Sequence, residues 1–390
     1  MNFKKLLLYS SVFSIQALSN AAIPILPELA GAGSRDPFAS NILFSGYFVG
    51  ALLALVPFGI LADRLGNLKM VGFGVLLTAI SGTVISFSES LWVLGIARFL
   101  EGVGCGAFFP AAFSMISKWK DSQRSLGEFN FLLNAGLAAG VFLSGMLAGL
   151  GIKTAIGIFT LLASLSCIFV LSEAGDLLSP GIKEKRLTLR DSNYSVKNQD
   201  ISLNQQDTSL FFELGEYLKK SRETVLNSSF GKIWGVSVLL YGTTGILTAN
   251  YADYSAGFLT KPELGMAISA SYMAAMFSSL VAGRLKVNSK SIVRSGIILA
   301  SAGILLSLEM PVLAFFLIGA GGGIAVVGLI TAVSKINSSG FVMGFFNTGI
   351  YAGLGLGPVF GSFFMEFFGY ETVFLGSALL LLTALFVKLE

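Results

Sequence analysis

Apolar residues in this chain gather into twelve long runs separated by short polar breaks. The runs fall at roughly 6–27, 40–62, 69–88, 91–117, 126–149, 152–172, 231–254, 262–284, 291–308, 311–334, 341–366 and 371–388. About twenty mainly apolar residues of α-helix cross the hydrocarbon core of a bilayer. In lipid the backbone must also satisfy its own N–H and C=O groups, which favours helices. Each run therefore predicts a transmembrane helix. The runs divide six and six around a polar stretch. That predicts an N-terminal six-helix bundle over 1–172, a cytoplasmic linker over 173–230 and a second six-helix bundle over 231–390. The linker carries a basic run at 183–186. Near its end, Phe211, Leu214, Leu218 and Val225 recur at helical spacing opposite Glu213, Glu216, Lys220 and Arg222. This segment reads either as an amphipathic helix on the inner leaflet or as a solvated linker helix.

Composition agrees with the pattern. Of 390 residues, 54% are hydrophobic and 12% charged, and the mean hydropathy is +0.77. A soluble domain carries about a quarter charged residues, so this chain has too few charges to cover a water-facing surface. Lys and Arg set the direction. With the N-terminus in the cytoplasm, 22 of the 26 fall in cytoplasmic segments, and Arg35, Lys153 and Lys261 fall outside. The positive-inside bias then places both termini in the cytoplasm and predicts a multi-pass protein of the cell membrane. Met1 to Ser10 resembles the start of a signal peptide. The apolar run continues to about Ile25 without a small-residue cleavage site, so it reads as a retained first span.

The two halves repeat one another. Ala97-Arg-Phe-Leu-Glu-Gly-Val-Gly-Cys-Gly106 aligns with Ala314-Phe-Phe-Leu-Ile-Gly-Ala-Gly-Gly-Gly323, identical at six of ten positions. At the same offset Gly136 to Val141 meets Gly353 to Pro358, and Leu61-Ala-Asp-Arg-Leu65 meets Val281-Ala-Gly-Arg-Leu285 at a similar one. A duplicated six-helix unit implies two bundles related by an axis along the membrane normal, with a solute site between them near the midplane. Gly102, Gly104, Gly136, Gly140, Gly353 and Gly357, with Pro358, are expected at helix-packing seams, because small residues let helices approach closely in lipid.

Two motifs give the chain a family likeness. Gly59-Ile-Leu-Ala-Asp-Arg-Leu-Gly-Asn-Leu-Lys69 resembles the loop signature between spans 2 and 3 of the major facilitator superfamily; only the first basic position of its final pair departs, with Asn67 and Leu68 before Lys69. Arg98 to Gly104 matches that family's R-x-x-x-G-x-G pattern in span 4, and the pattern is similar to that of the drug:proton antiporter branch. Val141 stands where that branch's span-5 motif has proline, and span 1 offers Gln16 and Asn20 where an acid is often found. The resemblance implies the major facilitator fold, an all-α membrane protein of twelve transmembrane helices in two pseudo-symmetric bundles. It also implies a gating loop of Gly59, Asp63, Arg64, Gly66 and Lys69, with Asp63 facing the start of span 11 near Gly340. A carboxylate is stabilised there by free N–H groups and the helix dipole. With Arg64, Lys69 and Arg124 it would latch the inner gate; a simple helix-end charge cluster is the alternative.

Charges within the spans point to function, since each costs about 2.5–3.5 kcal/mol at a helix centre. Arg98 and Glu101 share a helix face in span 4 and can pair. Their repeat equivalents are Phe315 and Ile318, so the fold itself does not demand charges there. Glu101 is the candidate proton carrier and Arg98 its partner or a substrate contact; a purely structural ion pair is the alternative. Asp253 at the outer end of span 7 is a second candidate for binding a proton or cation; an interfacial charge among tyrosine anchors is the alternative. As a set, Gln16, Asn20, Asn134, Tyr241, Thr244, Tyr272, Asn347 and Tyr351 point to a mildly polar, aromatic-walled cavity for an organic solute; taken singly, each reads as a helix–helix hydrogen bond.

The chain lacks histidine and any phosphate-binding loop signature, which argues against an enzyme, a metal centre, a cofactor or direct use of ATP. Its basic residues lie in scattered loops, which argues against nucleic acid as a partner. The reading that follows is a monomeric secondary transporter for a small organic solute, working by alternating access and coupled to protons, with efflux favoured. An importing symporter or uniporter and a non-transporting membrane sensor or scaffold are the rivals.

Overall fold

A computed structural model of the protein describes residues 3–31, 37–176, 219, 223, 227–284, 287–336 and 340–388. Most of the 173–230 segment lies outside these residues, and with it the amphipathic stretch at 210–225. The described chain is built from long apolar helices. In the first half they are α1 (Phe3–Ala21), α2 (Pro37–Leu65), α3 (Asn67–Phe87), α4 (Leu91–Ser117), α5 (Ser122–Leu147) and α6 (Thr154–Asp176). In the second half they are α7 (Ser228–Tyr254), α8 (Lys261–Arg284), α9 (Ser289–Leu306) and α10 (Pro311–Ile336), followed by the run Gly340–Leu382.

That last run holds two spans. Gly369 has φ 75° and ψ 169°, a region that essentially only glycine occupies. The chain bends there and separates α11 (340–368) from α12 (370–382). The break supplies the twelfth span that the hydropathy pattern predicts, without any loop. A second departure from a plain rod follows α1. The short 3-10 turn Ile23–Ile25 and a last turn Leu26–Leu29 extend it, because Pro24 and Pro27 cannot donate to a continuous helical ladder. Asn227 and Asn288 start α7 and α9. Their side chains accept from the Ser229 and Lys290 backbone N–H groups at 3.1 and 3.2 Å, as helix N-caps do.

Packing repeats between the halves. The fourth helix of each half lies against the second and third: α4 on α2 and α3, and α10 on α8 and α9. Glycines permit this. A Cβ on Gly102 would run into the Tyr47 carbonyl of α2, and one on Gly319 into the Ser271 carbonyl of α8. Gly104 presses on Gly74 of α3, and Gly321 on Gly296 and Ala300 of α9. In the same way α5 rests on α1 through Gly136 and Gly140, and α11 rests on α7 through Gly353 and Gly357. The repeated glycines thus make the same seams in both halves. Between the halves, α2 packs on α11 and α5 on α8. Gly355 of α11 meets Phe48 and Val49, and Gly145 of α5 meets Gly265 of α8.

Candidate functional site

The spacing of Arg98 and Glu101 puts both side chains on the inward face of α4. They are 2% and 0% exposed. Arg98 Nη1 donates to Glu101 Oε2 at 2.6 Å and to the Ser19 carbonyl at 3.1 Å, and Nε donates to the Leu43 carbonyl at 3.1 Å. The guanidinium carbon stands 5.0 Å from the centre of the Tyr47 ring. One arginine therefore joins α1, α2 and α4. A buried charge of this kind survives only when paired and hydrogen-bonded. Glu101 differs, because its Oε1 is buried with no hydrogen-bond partner among the described residues. A carboxylate that leaves one oxygen unmet in a buried site has room to take up a proton there or to receive a donor from a ligand.

A polar chain adjoins the pair. The Tyr47 hydroxyl lies 3.3 Å from Gln16 Oε1 and 3.0 Å from Cys105 Sγ, and Cys105 Sγ lies 4.0 Å from the Tyr351 hydroxyl of α11. The Phe48 and Tyr351 rings are 6.3 Å apart. This cluster therefore reaches the seam between the halves. Of the expected cavity residues, Gln16 and Tyr351 join it. Asn20 is buried on α1, 3.5 Å from the Leu137 carbonyl, with Tyr272 of α8 beside it. Asn134 and Thr244 bond to their own helices, at Asn130 and Leu240. Tyr241 backs the α7–α11 seam at Gly353, and Asn347 is half-buried on α11.

Asp253 is half-buried near the end of α7, next in the chain to Tyr254, whose ring packs on Tyr251 and Phe374. In the gating loop, Gly66 has φ 98° and turns α2 into α3. Gly59 faces Pro110 of α4, Arg64 is half-buried and Lys69 is exposed. Asn67, at a position where the family signature is basic, donates instead to Ser114 of α4 at 2.9 Å. The Asp63 side chain lies outside the described residues. Arg124 pairs with Glu128 at 2.9 Å on its own helix, and Glu128 also receives Lys5 at 2.6 Å.

Sequence inspection missed several contacts. Asn41 and Asn250 exchange hydrogen bonds of 2.6 and 3.1 Å across the halves, both fully buried. Lys261 Nζ reaches Glu28 at 2.7 Å and the Pro24 carbonyl at 2.8 Å. Tyr47 and Cys105 also escaped notice. Two asparagines inside apolar spans are a signal that intramembrane polarity alone could have raised. The Lys261 pairing, 233 residues apart in sequence, left no local trace.

Comparison with known proteins agrees with this architecture. The family model described as Major Facilitator Superfamily matches residues 8–230 and 233–389. The multidrug resistance efflux pump PmrA of Streptococcus pneumoniae is 28% identical over 371 residues, covering 92% of this chain and 87% of the pump. A Drosophila melanogaster protein named as a candidate inorganic phosphate cotransporter is 29% identical over 132 residues. That match spans 33% of this chain and only 25% of the cotransporter. The crystal structure of the nucleoside transporter NupG superposes with a TM-score of 0.69 at 15% identity, covering 98% of each chain. The likeness to NupG is one of fold. With the family model running almost end to end and twelve spans packed as two like halves, the chain belongs to the major facilitator superfamily of membrane transporters.

Proposed function

We propose that this transporter expels an amphipathic organic solute in exchange for protons, with Glu101 as the proton-carrying group. The observation that carries the reading is the Arg98–Glu101 pair, buried between α1, α2 and α4 with Glu101 Oε1 left unpartnered. A carboxyl beside a guanidinium stays ionised more readily than one buried alone. A conformational change that separated Glu101 from Arg98 would favour proton uptake, and re-forming the pair would favour release. The likeness to PmrA along nearly the whole chain supports efflux. In this reading the bundles 1–172 and 231–390 rock about the midplane site of a monomer in the cell membrane, both termini cytoplasmic. Asp63, Arg64 and Lys69 latch the inner side, and Asp253 serves the outer vestibule.

A panel of drugs and metabolites screened by thermal shift would first identify a cargo, since a ligand of the folded state raises apparent stability. Flux of that cargo is then measured in proteoliposomes under an imposed pH gradient. Glu101→Gln is expected to abolish gradient-driven movement while cargo–cargo exchange persists. Unchanged proton dependence removes Glu101 from the mechanism. The likeness to a cotransporter over a third of the chain favours a second reading, import with a coupling ion. Cargo accumulating with the proton flow, rather than against it, would select that reading.

A further inference from the structure

We propose a binding site for an anionic phospholipid on the lipid-facing side of the second half, its headgroup at Arg284 and Lys290 and one acyl chain between α8, α9 and α10. A groove of about 590 Å³ opens on that face, lined among others by Phe277, Val281, Ala282, Ile292 and Phe316. Its α8 wall runs from Ala274 to Ala282, about 12 Å at 1.5 Å per residue. It therefore extends from the α8–α9 loop towards the middle of the span. Phe277, Val281 and Phe316 at its rim are exposed, so the groove faces lipid and not the seam between the halves.

Charge at the loop end identifies the occupant. Arg284, Lys286, Lys290 and Arg294 fall within eleven residues, Lys286 outside the described residues, and no Asp or Glu occurs between Leu264 and Leu308. The first half handles the equivalent loop differently. There Leu61-Ala-Asp-Arg-Leu65 supplies Asp63, whereas Val281-Ala-Gly-Arg-Leu285 has Gly283 in its place. A Cβ added at Gly283 would meet no atom within 4 Å. The duplicated loop has kept its arginine, lost its acid and left space where the acid would stand. Arg294 gives one N–H to the Leu385 carbonyl. Arg284 is exposed and Lys290 half-exposed, and neither forms an ion pair with a described residue. A phosphate from the bilayer supplies the missing negative charge, and basic pockets beside transmembrane helices on the cytoplasmic side recognise such headgroups.

Native mass spectrometry tests this on the full chain, offered phosphatidylglycerol or phosphatidylcholine with the same acyl chains. The wild type is expected to retain phosphatidylglycerol preferentially. Arg284→Gln with Lys290→Gln is expected to cut that preference about thirtyfold, at about one surface-charge contribution per residue removed. Gly283→Asp, which adds an internal carboxylate, is expected to lower it about fivefold. Lys118→Gln with Lys120→Gln removes equal charge from another loop and should leave the preference intact. Equal retention of the two lipids by the wild type overturns the site, as does full preference in the Arg284/Lys290 double variant. Unfolding midpoints in phosphatidylcholine nanodiscs confirm that each variant is folded.

Discussion

Arg98 is held by one carboxylate, two backbone carbonyls and an aromatic face. Removing Glu101 alone would leave a guanidinium buried without its counter-charge, which costs about 3–5 kcal/mol. Replacing both members with apolar residues of similar volume is often neutral or stabilising. The second half already shows such a solution, since the repeat positions are Phe315 and Ile318, both buried and apolar. Thermal unfolding in detergent should therefore rank Glu101→Leu and Arg98→Met as strongly destabilised singles. The double variant should recover to near the wild-type midpoint yet fail to transport. A double variant no more stable than the singles would mean that the pair is needed for folding. The candidate pair was legible in the sequence because ionisable residues inside an apolar run are conspicuous. Its partners were not, because the Ser19 and Leu43 carbonyls carry no sequence signal.

Among the elements, α11 and α12 differ most from a simple reading of span and loop. The bend at Gly369 rests on one residue at φ 75°. Gly369→Ala would place a Cβ in a backbone region costing on the order of 1–3 kcal/mol. The expected result is a lower unfolding midpoint, with the Arg98 site intact and cargo affinity close to wild type. A variant as stable as the parent would show that the bend relaxes easily. Hydropathy predicted both spans with a boundary near this point, because lipid exposure demands apolar surface on each. It could not show that the two helices abut without a loop. The glycines of α4 and α10 were legible in a similar way. Their duplication predicted seams, while the identity of the facing carbonyls, Tyr47 and Ser271, depended on helix rotation.

Across the whole molecule, contacts between the halves gather towards the end that holds Glu28 and Lys261. They include the Lys261–Glu28 ion pair, the Asn41–Asn250 exchange and the Gly145–Gly265 approach. The ion pair is about three-quarters buried on each side, and pairs near a surface contribute about 0.2–1 kcal/mol. Glu28→Gln should therefore shift a two-state opening at this end only a few-fold. Spin labels at the exposed positions Glu89 and Gly257 would report it by double electron–electron resonance, as a larger share of long distances. An unchanged distribution would leave closure of this end to the asparagine pair and the glycine contact.

Local and periodic properties were decided by the sequence alone. Span number, the six-and-six division and the internal repeat all follow from the energy of moving each residue into lipid and from a 3.6-residue helical period. Those quantities depend on a residue and its near neighbours, so they can be read without a fold. The tertiary structure decided what meets across long separations. It set Glu101 with one oxygen unmatched, linked Tyr47, Cys105 and Tyr351 into a chain, and brought Lys261 to Glu28. Those outcomes depend on how each helix is rotated and crossed against its neighbours. In lipid that is governed by close packing and not by hydrophobicity, because the solvent is as apolar as the helix faces.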